Sequence, residues 1–194
     1  MEQLDEHYWE ARYQNQTDAW DLGEPSIPLK TYIDELVDRK LDILVPGAGN
    51  GHEVAYMHQK GFQQVTMLDL AATPLVHFQK AHPDFPKMHL IQTDFFVHEG
   101  RYDLIFEQTF FCAIDRSLRE SYVRKMHALL KPGGKLVGLL FGVEMAEGPP
   151  FGGSQVEYEK LFSPFFHIRK LAPCYNSIAP RSGRELFMVL ERKP

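Results

Sequence analysis

The sequence holds only two cysteines, Cys112 and Cys174, too few for a disulfide framework. Cys112 falls in the apolar run Thr109 to Ile114, where a buried free thiol is the usual state, so a reducing, cytoplasmic setting is expected. An excess of basic charge is missing as well. Against 26 Asp and Glu stand 21 scattered Lys and Arg, a formal net charge of -5. Such a chain repels a phosphate backbone, so no nucleic-acid partner is expected. No apolar stretch approaches the length of a membrane span, and no membrane partner is expected. The opening MEQLDEHYWEARYQ is acidic rather than basic then apolar, unlike a secretory signal or a transit peptide. The mature protein is therefore expected to be the whole chain. Internal repeats and low-complexity linkers are also lacking.

Metal and hydrolase signatures are missing too. His52-Glu53 with His58 does not match H-E-x-x-H, and no Cys/His pair has zinc-site spacing, so no metal is expected. Ser154 has no nucleophile elbow and Cys112 no neighbouring base in sequence, which leaves no catalytic dyad.

What is present is an ordinary globular composition, 44% hydrophobic and 24% charged over 194 residues. A single domain of this size buries roughly 70% of its unfolded surface. Leu4 to Tyr13 reads as a short helix, followed by the polar, aromatic-studded QNQTDAWDLGEPSIP and a helix over Pro28 to Asp38. From Leu41 onward, strands and helices alternate. The strands are Leu41 to Val45, Val65 to Leu70, His89 to Thr93, Tyr102 to Phe106, Lys135 to Phe141, His167 to Tyr175 and Glu185 to Glu191. The helices between them are His52 to Lys60, Pro74 to Ala81, Arg116 to Leu130 and a short one over Tyr158 to Leu161. Parallel strands separated by helices demand a doubly wound α/β sheet covered on both faces, with the last two strands closing as an antiparallel edge pair.

The richest segment is LDILVPGAGNGHEV. Glycines at 47, 49 and 51 directly after a strand let backbone approach a ligand where side chains would collide. The spacing is G-x-G-x-G rather than the G-x-G-x-x-G of dinucleotide sites, which suits a nucleoside without phosphates. Strand two ends in MLDL, where Asp69 can accept both ribose hydroxyls; alone, it would read as a strand-end cap. Strand three ends in QTDFF, which brings Asp94 and Phe95 to the same sheet edge for an adenine amino group and ring face. Their plain alternatives are a turn residue and core.

The order glycine loop, Asp69, Asp94-Phe95 and then LLKPGG before a strand resembles a class I S-adenosylmethionine-dependent methyltransferase. More narrowly, the chain resembles the thiopurine and halide/thiol methyltransferase family. That likeness rests on WEARYQNQTDAWDLGEPSIP, VPGAGNGHEV, DLIFEQTFFCAI followed by LLKPGG, and EGPPF, in order over most of the chain. The resemblance implies a single Rossmann-like domain over residues 1–194. Its core, 41–194, carries a mostly parallel seven-stranded sheet with an antiparallel edge strand, and residues 1–40 form an N-terminal helical lid. It further implies that Trp9, Tyr13 and Trp20 fold over S-adenosylmethionine alongside Gly47, Gly49, Asp69, Asp94, Phe95 and Gln108, with S-adenosylhomocysteine as product. Aromatic faces attract a sulfonium and keep water from it. Three positions depart from the pattern. Val45 stands where many class I enzymes have an acid, Tyr13 where the family often has a second tryptophan, and Gln108 where some members have Arg.

Methyl transfer from a sulfonium is an in-line displacement, and the enzyme holds the nucleophile behind the methyl carbon in a dry pocket. Thiols, thiopurines, bisulfide and halides need no general base, since a thiol of pKa about 8.5 already supplies some thiolate. The acceptor side is expected from Trp20, Phe110, Phe111 and the GPPF loop, with Tyr175 and Arg181 to orient an anion or thiol; Arg181 and Arg184 read equally well as solvated turn charges. The partner is then a small-molecule acceptor, and the chain a monomer, with a dimer left open. Rival readings are methylation of another small acceptor, a non-enzymatic adenosylmethionine-binding module and a nicotinamide-dependent oxidoreductase.

Overall fold

A computed structural model describes residues 3–194; residues 1 and 2, the start of the expected lid segment, lie outside the described residues. The chain opens with α1 (Glu6–Gln14), whose N-cap Asp5 accepts the Tyr8 amide at 3.0 Å, and α2 (Ile27–Glu35), with Pro28 in its first turn. The second helix stops short of Asp38 because Leu36 turns extended, at φ -72° and ψ 129°.

Alternation then begins: β1 (Asp42–Pro46), α3 (His52–Gln59), β2 (Gln64–Asp69), α4 (Ala72–Ala81), β3 (Leu90–Gln92) and β4 (Tyr102–Gln108). It continues through α5 (Arg119–Leu129), β5 (Leu130–Phe141), α6 (Gln155–Phe162), β6 (Phe166–Pro173) and β7 (Glu185–Arg192). The sequence periodicity over Arg116 to Leu130 splits into a 3-10 turn over Arg116–Leu118 and then α5. Strand β5 starts at Leu130, earlier than the expected Lys135. Leu130 pairs with Tyr102, the Lys131-Pro132-Gly133-Gly134 stretch bulges, and regular pairing resumes at Leu104 with Lys135.

One seven-stranded sheet results, in the order β3-β2-β1-β4-β5-β7-β6. Neighbours from β3 to β5 are parallel, and β7 runs antiparallel to both β5 and β6. The antiparallel member thus stands one place in from the edge, and β6 holds the edge itself.

Period-two alternation explains the layers. Ile43 and Val45 of β1 and Leu104 and Phe106 of β4 face a cluster built with Leu29 and Ile33 of α2 and Val54 and Met57 of α3. Leu44 and Ile105, one residue out of step, face the other cluster, with Tyr122 and Met126 of α5 and Tyr158 and Phe162 of α6. With both faces covered, the free surface for a ligand is the carboxyl edge of the parallel strands. Among the described residues no helix is long and apolar enough to cross a membrane.

Candidate active site

At that edge β1 runs into the turn Gly47-Ala48-Gly49-Asn50-Gly51 and then α3. Gly47 and Gly49 have φ of 57° and 52°, left-handed values that side chains adopt only under strain. A Cβ on Gly47 would enter the Phe110 ring, and one on Gly49 would stand 2.9 Å from the Tyr13 hydroxyl oxygen. The loop is pinned from β2: Asp69 accepts the Gly49 amide on Oδ2 at 2.8 Å and the Ala71 amide on Oδ1 at 2.9 Å. Asp69 is only 5% exposed. Burial pushes its carboxyl up to about 6, with the backbone donors pulling the other way.

A cleft of about 1170 Å³ opens over this loop. One end is lined by Gly47, Asp69, Asp94 and Phe95 and by Trp9, Tyr13 and Trp20 of the N-terminal segment. Trp20 stands edge-on to Trp9 at 5.6 Å and to Tyr13 at 5.8 Å. Burial and the charge of Asp69 push the Tyr13 phenol up, so it stays a neutral donor. Asp94 also closes a local turn, accepting the Phe96 amide on Oδ1 at 2.8 Å. Phe95 is both wall and core, with its ring edge-on to Phe110 at 5.1 Å and tilted against Tyr122.

The cleft is also lined by Phe110, Ile114, Met145, Pro149 and Pro150, with Arg181 and Arg184 among its cations. Arg181 is a buried group rather than a solvated turn charge. It donates from Nη2 to the Trp20 carbonyl at 2.8 Å, and its Nη1 lies 3.5 Å from Glu185 Oε1. Two expected acceptor residues are placed elsewhere. Phe111 is buried in the core and off the cleft, where its ring meets Tyr122 at 5.0 Å and Tyr158 at 5.6 Å. Tyr175 sits in the polar turn after β6, 83% exposed and off the cleft.

Beside the cleft, a recess of about 50 Å³ is lined by Trp20, Asp21, Glu24, Val45, Gly49 and Gln108. The Gln108 Oε1 is buried there without a donor, an acceptor that the ammonium of an amino-acid group would satisfy. Beside Val45, the recess is lined by two carboxylates of the N-terminal segment, Asp21 and Glu24. A glycine cradle with no room for side chains, a strand-end carboxylate and an orphaned acceptor together fit a nucleoside bearing an amino-acid tail.

Several residues at or behind the site carry no local sequence signal. Glu10 of α1 accepts the Ala72 and Thr73 amides at 2.9 and 3.0 Å, so it caps α4 from 62 residues away. Asp21 holds His52 at 2.6 Å and also takes Asn50. Burial would raise the Asp21 carboxyl, but these partners outweigh it and hold the group below its ordinary range, while His52 is raised by the same bond. Glu107, at the end of β4, is fully buried, and burial pushes it up to about 7.

Comparison with known proteins agrees with this geometry. The "Probable thiol methyltransferase 2" of Arabidopsis thaliana is 33% identical over 184 residues, 91% of this chain and 81% of the relative. "Thiocyanate methyltransferase 1" of Brassica oleracea is 30% identical over 192 residues, 95% of this chain and 84% of the relative. In fold, the chain matches the 1,6-didemethyltoxoflavin-N1-methyltransferase of Burkholderia thailandensis with a TM-score of 0.79 at 18% identity, over 97% of this chain and 87% of that one. The sequence model of the thiopurine S-methyltransferase (TPMT) family matches residues 4–191, and the chain belongs to that family.

Proposed function

We propose that this protein transfers a methyl group from S-adenosylmethionine to a small soft nucleophile: a thiol, a thiopurine, bisulfide or a halide. When bound, the cofactor supplies an electrophilic methyl on a sulfonium. One observation carries the reading: a single cleft joins the Gly47, Asp69 and Asp94 end to an apolar end whose lining contains arginines and no histidine. Asp69 and Asp94 would hold the nucleoside, Gly47 and Gly49 would let it approach the backbone, and Gln108 would take the ammonium in the recess. Trp9, Tyr13 and Trp20 would cover the sulfonium and exclude water. Phe110 would form the wall between the two ends, and Arg181 would orient an anionic acceptor. A thiolate or halide needs no proton removed at the transition state, which suits an apolar end without an imidazole.

In this reading residues 1–40 act as a lid on a 41–194 core, and the protein works as a monomer in a reducing, cytoplasmic setting where Cys112 and Cys174 stay free thiols. The test is release of S-adenosylhomocysteine from purified protein given S-adenosylmethionine and a panel of small thiols, bisulfide, iodide, thiocyanate and a thiopurine, with Asp69→Ala as control. Turnover with a soft nucleophile, lost in the control, is expected. Tight cofactor binding with no turnover on the panel would defeat the soft-acceptor assignment.

A further inference from the structure

Glu107 lines neither the cleft nor the recess and has no exposed surface. A buried carboxylate is costly unless its oxygens are satisfied, and the Glu107 Oε2 has no hydrogen-bond partner. Core packing alone is better served here by an apolar side chain. The other oxygen is fully engaged: Oε1 accepts the amides of both Phe110 and Phe111, each at 2.8 Å. Those bonds close a turn whose first residue, Thr109, sits at φ 59°, a left-handed value strained for a β-branched residue. The turn sends Phe110 onto Gly47 and Phe111 into the core. One residue on, the Cys112 carbonyl accepts the Phe151 amide at 2.7 Å, which fixes the end of the Pro149-Pro150 wall. Hydrogen bonds and the intervening backbone thus connect Glu107 to the Phe151 end of one wall, while the Phe110 ring that it positions packs against Gly47 in the other.

We infer that Glu107 is a positioning residue for methyl transfer, setting the separation of the cofactor wall at Gly47 from the acceptor wall at Pro149-Pro150 by holding the Phe110 and Phe111 amides. The inference rests on the methyl-transfer reading above. It requires an acceptor atom at the right reach and not a negative charge, so the amide of glutamine serves and an apolar isostere does not.

The experiment compares wild type, Glu107→Gln and Glu107→Met in acceptor KM, kcat and calorimetric Kd for S-adenosylhomocysteine. Glu107→Gln is expected within threefold of wild type throughout. Glu107→Met is expected to lower kcat/KM at least tenfold, mainly through acceptor KM, while the Kd moves less than threefold. If Glu107→Met does not fold, Glu107→Thr, polar and suited to a strand but too short to reach the amides, carries the same expectation. A folded Met or Thr variant with wild-type acceptor KM overturns the inference. So does a Gln variant as impaired as Met, which would point to charge or a proton instead. Failure of both the Met and Thr variants to fold overturns it in favour of a purely structural role. An inactive wild-type chain would instead strike the methyl-transfer reading itself.

Discussion

At the scale of single residues, the burial of Asp69 gives the stability of the fold a pH dependence. The folded value of its carboxyl is about 6 against an ordinary 3.8. Between about pH 4 and 6 the folded protein keeps a proton that the unfolded chain has released, so stability falls as pH rises through that window. The shift corresponds to about 3 kcal/mol. In the proposed role the ionised form accepts ribose hydroxyls better than the acid, so cofactor affinity is expected to rise over the same window. In Asp69→Asn the amide group would face either the Gly49 or the Ala71 amide, donor against donor. Melting curves and S-adenosylhomocysteine titrations from pH 4 to 7 should show both dependences flattened in that variant and binding weakened at least tenfold. Gly47, Gly49 and Asp69 were legible because a glycine loop after a strand and an acid at the next strand end are local patterns. Which of Phe110 and Phe111 faces the cleft was not, because the strained turn at Thr109 decides it and nothing in the two side chains does.

At the scale of elements, α4 begins at an N-cap, Ala71, that offers no side-chain acceptor. Glu10 of α1 supplies one across space, and the two helices are stitched at the edge beside Asp69. Losing a cap of this kind costs about 1 kcal/mol. Glu10→Ala is therefore expected to lower the melting temperature by a few degrees and, more tellingly, to speed hydrogen exchange in α1 selectively over α5. Unchanged exchange in α1 would show that its aromatic contacts alone hold it. Periodicity located the helices and strands because the core clusters impose it on both sheet faces. It missed the early start of β5, since Lys131 to Gly134 carries no apolar alternation and its strand character comes only from Leu130 pairing with Tyr102. The reach of Glu10 to α4 is a tertiary fact with no local trace.

At the scale of the whole molecule, the cleft is lined both by the N-terminal segment and by residues from the middle of the chain, so a ligand filling it adds to the hydrogen bonds that Glu10, Asp21 and Trp20 already make with the core. Binding to the folded state alone adds about 2.7 kcal/mol at a ligand concentration of 100 times Kd. For a chain of this length that corresponds to a rise in melting temperature of about 5–10 °C, readable by calorimetry with S-adenosylhomocysteine. The doubly wound layout was legible from alternating elements. The place of β7, one in from the edge, was not, because a final strand pair closes a sheet equally well in either order.

The edge-on pair of Trp9 and Trp20 has one more consequence. The chain contains two tryptophans, and both belong to the N-terminal segment against the cleft. Intrinsic emission excited near the red edge of indole absorption therefore originates from this segment alone, so the protein carries its own optical gauge. Cofactor entry should change the intensity or shift the wavelength of that emission without any label, and stopped-flow traces would time the segment's settling apart from the chemistry that follows.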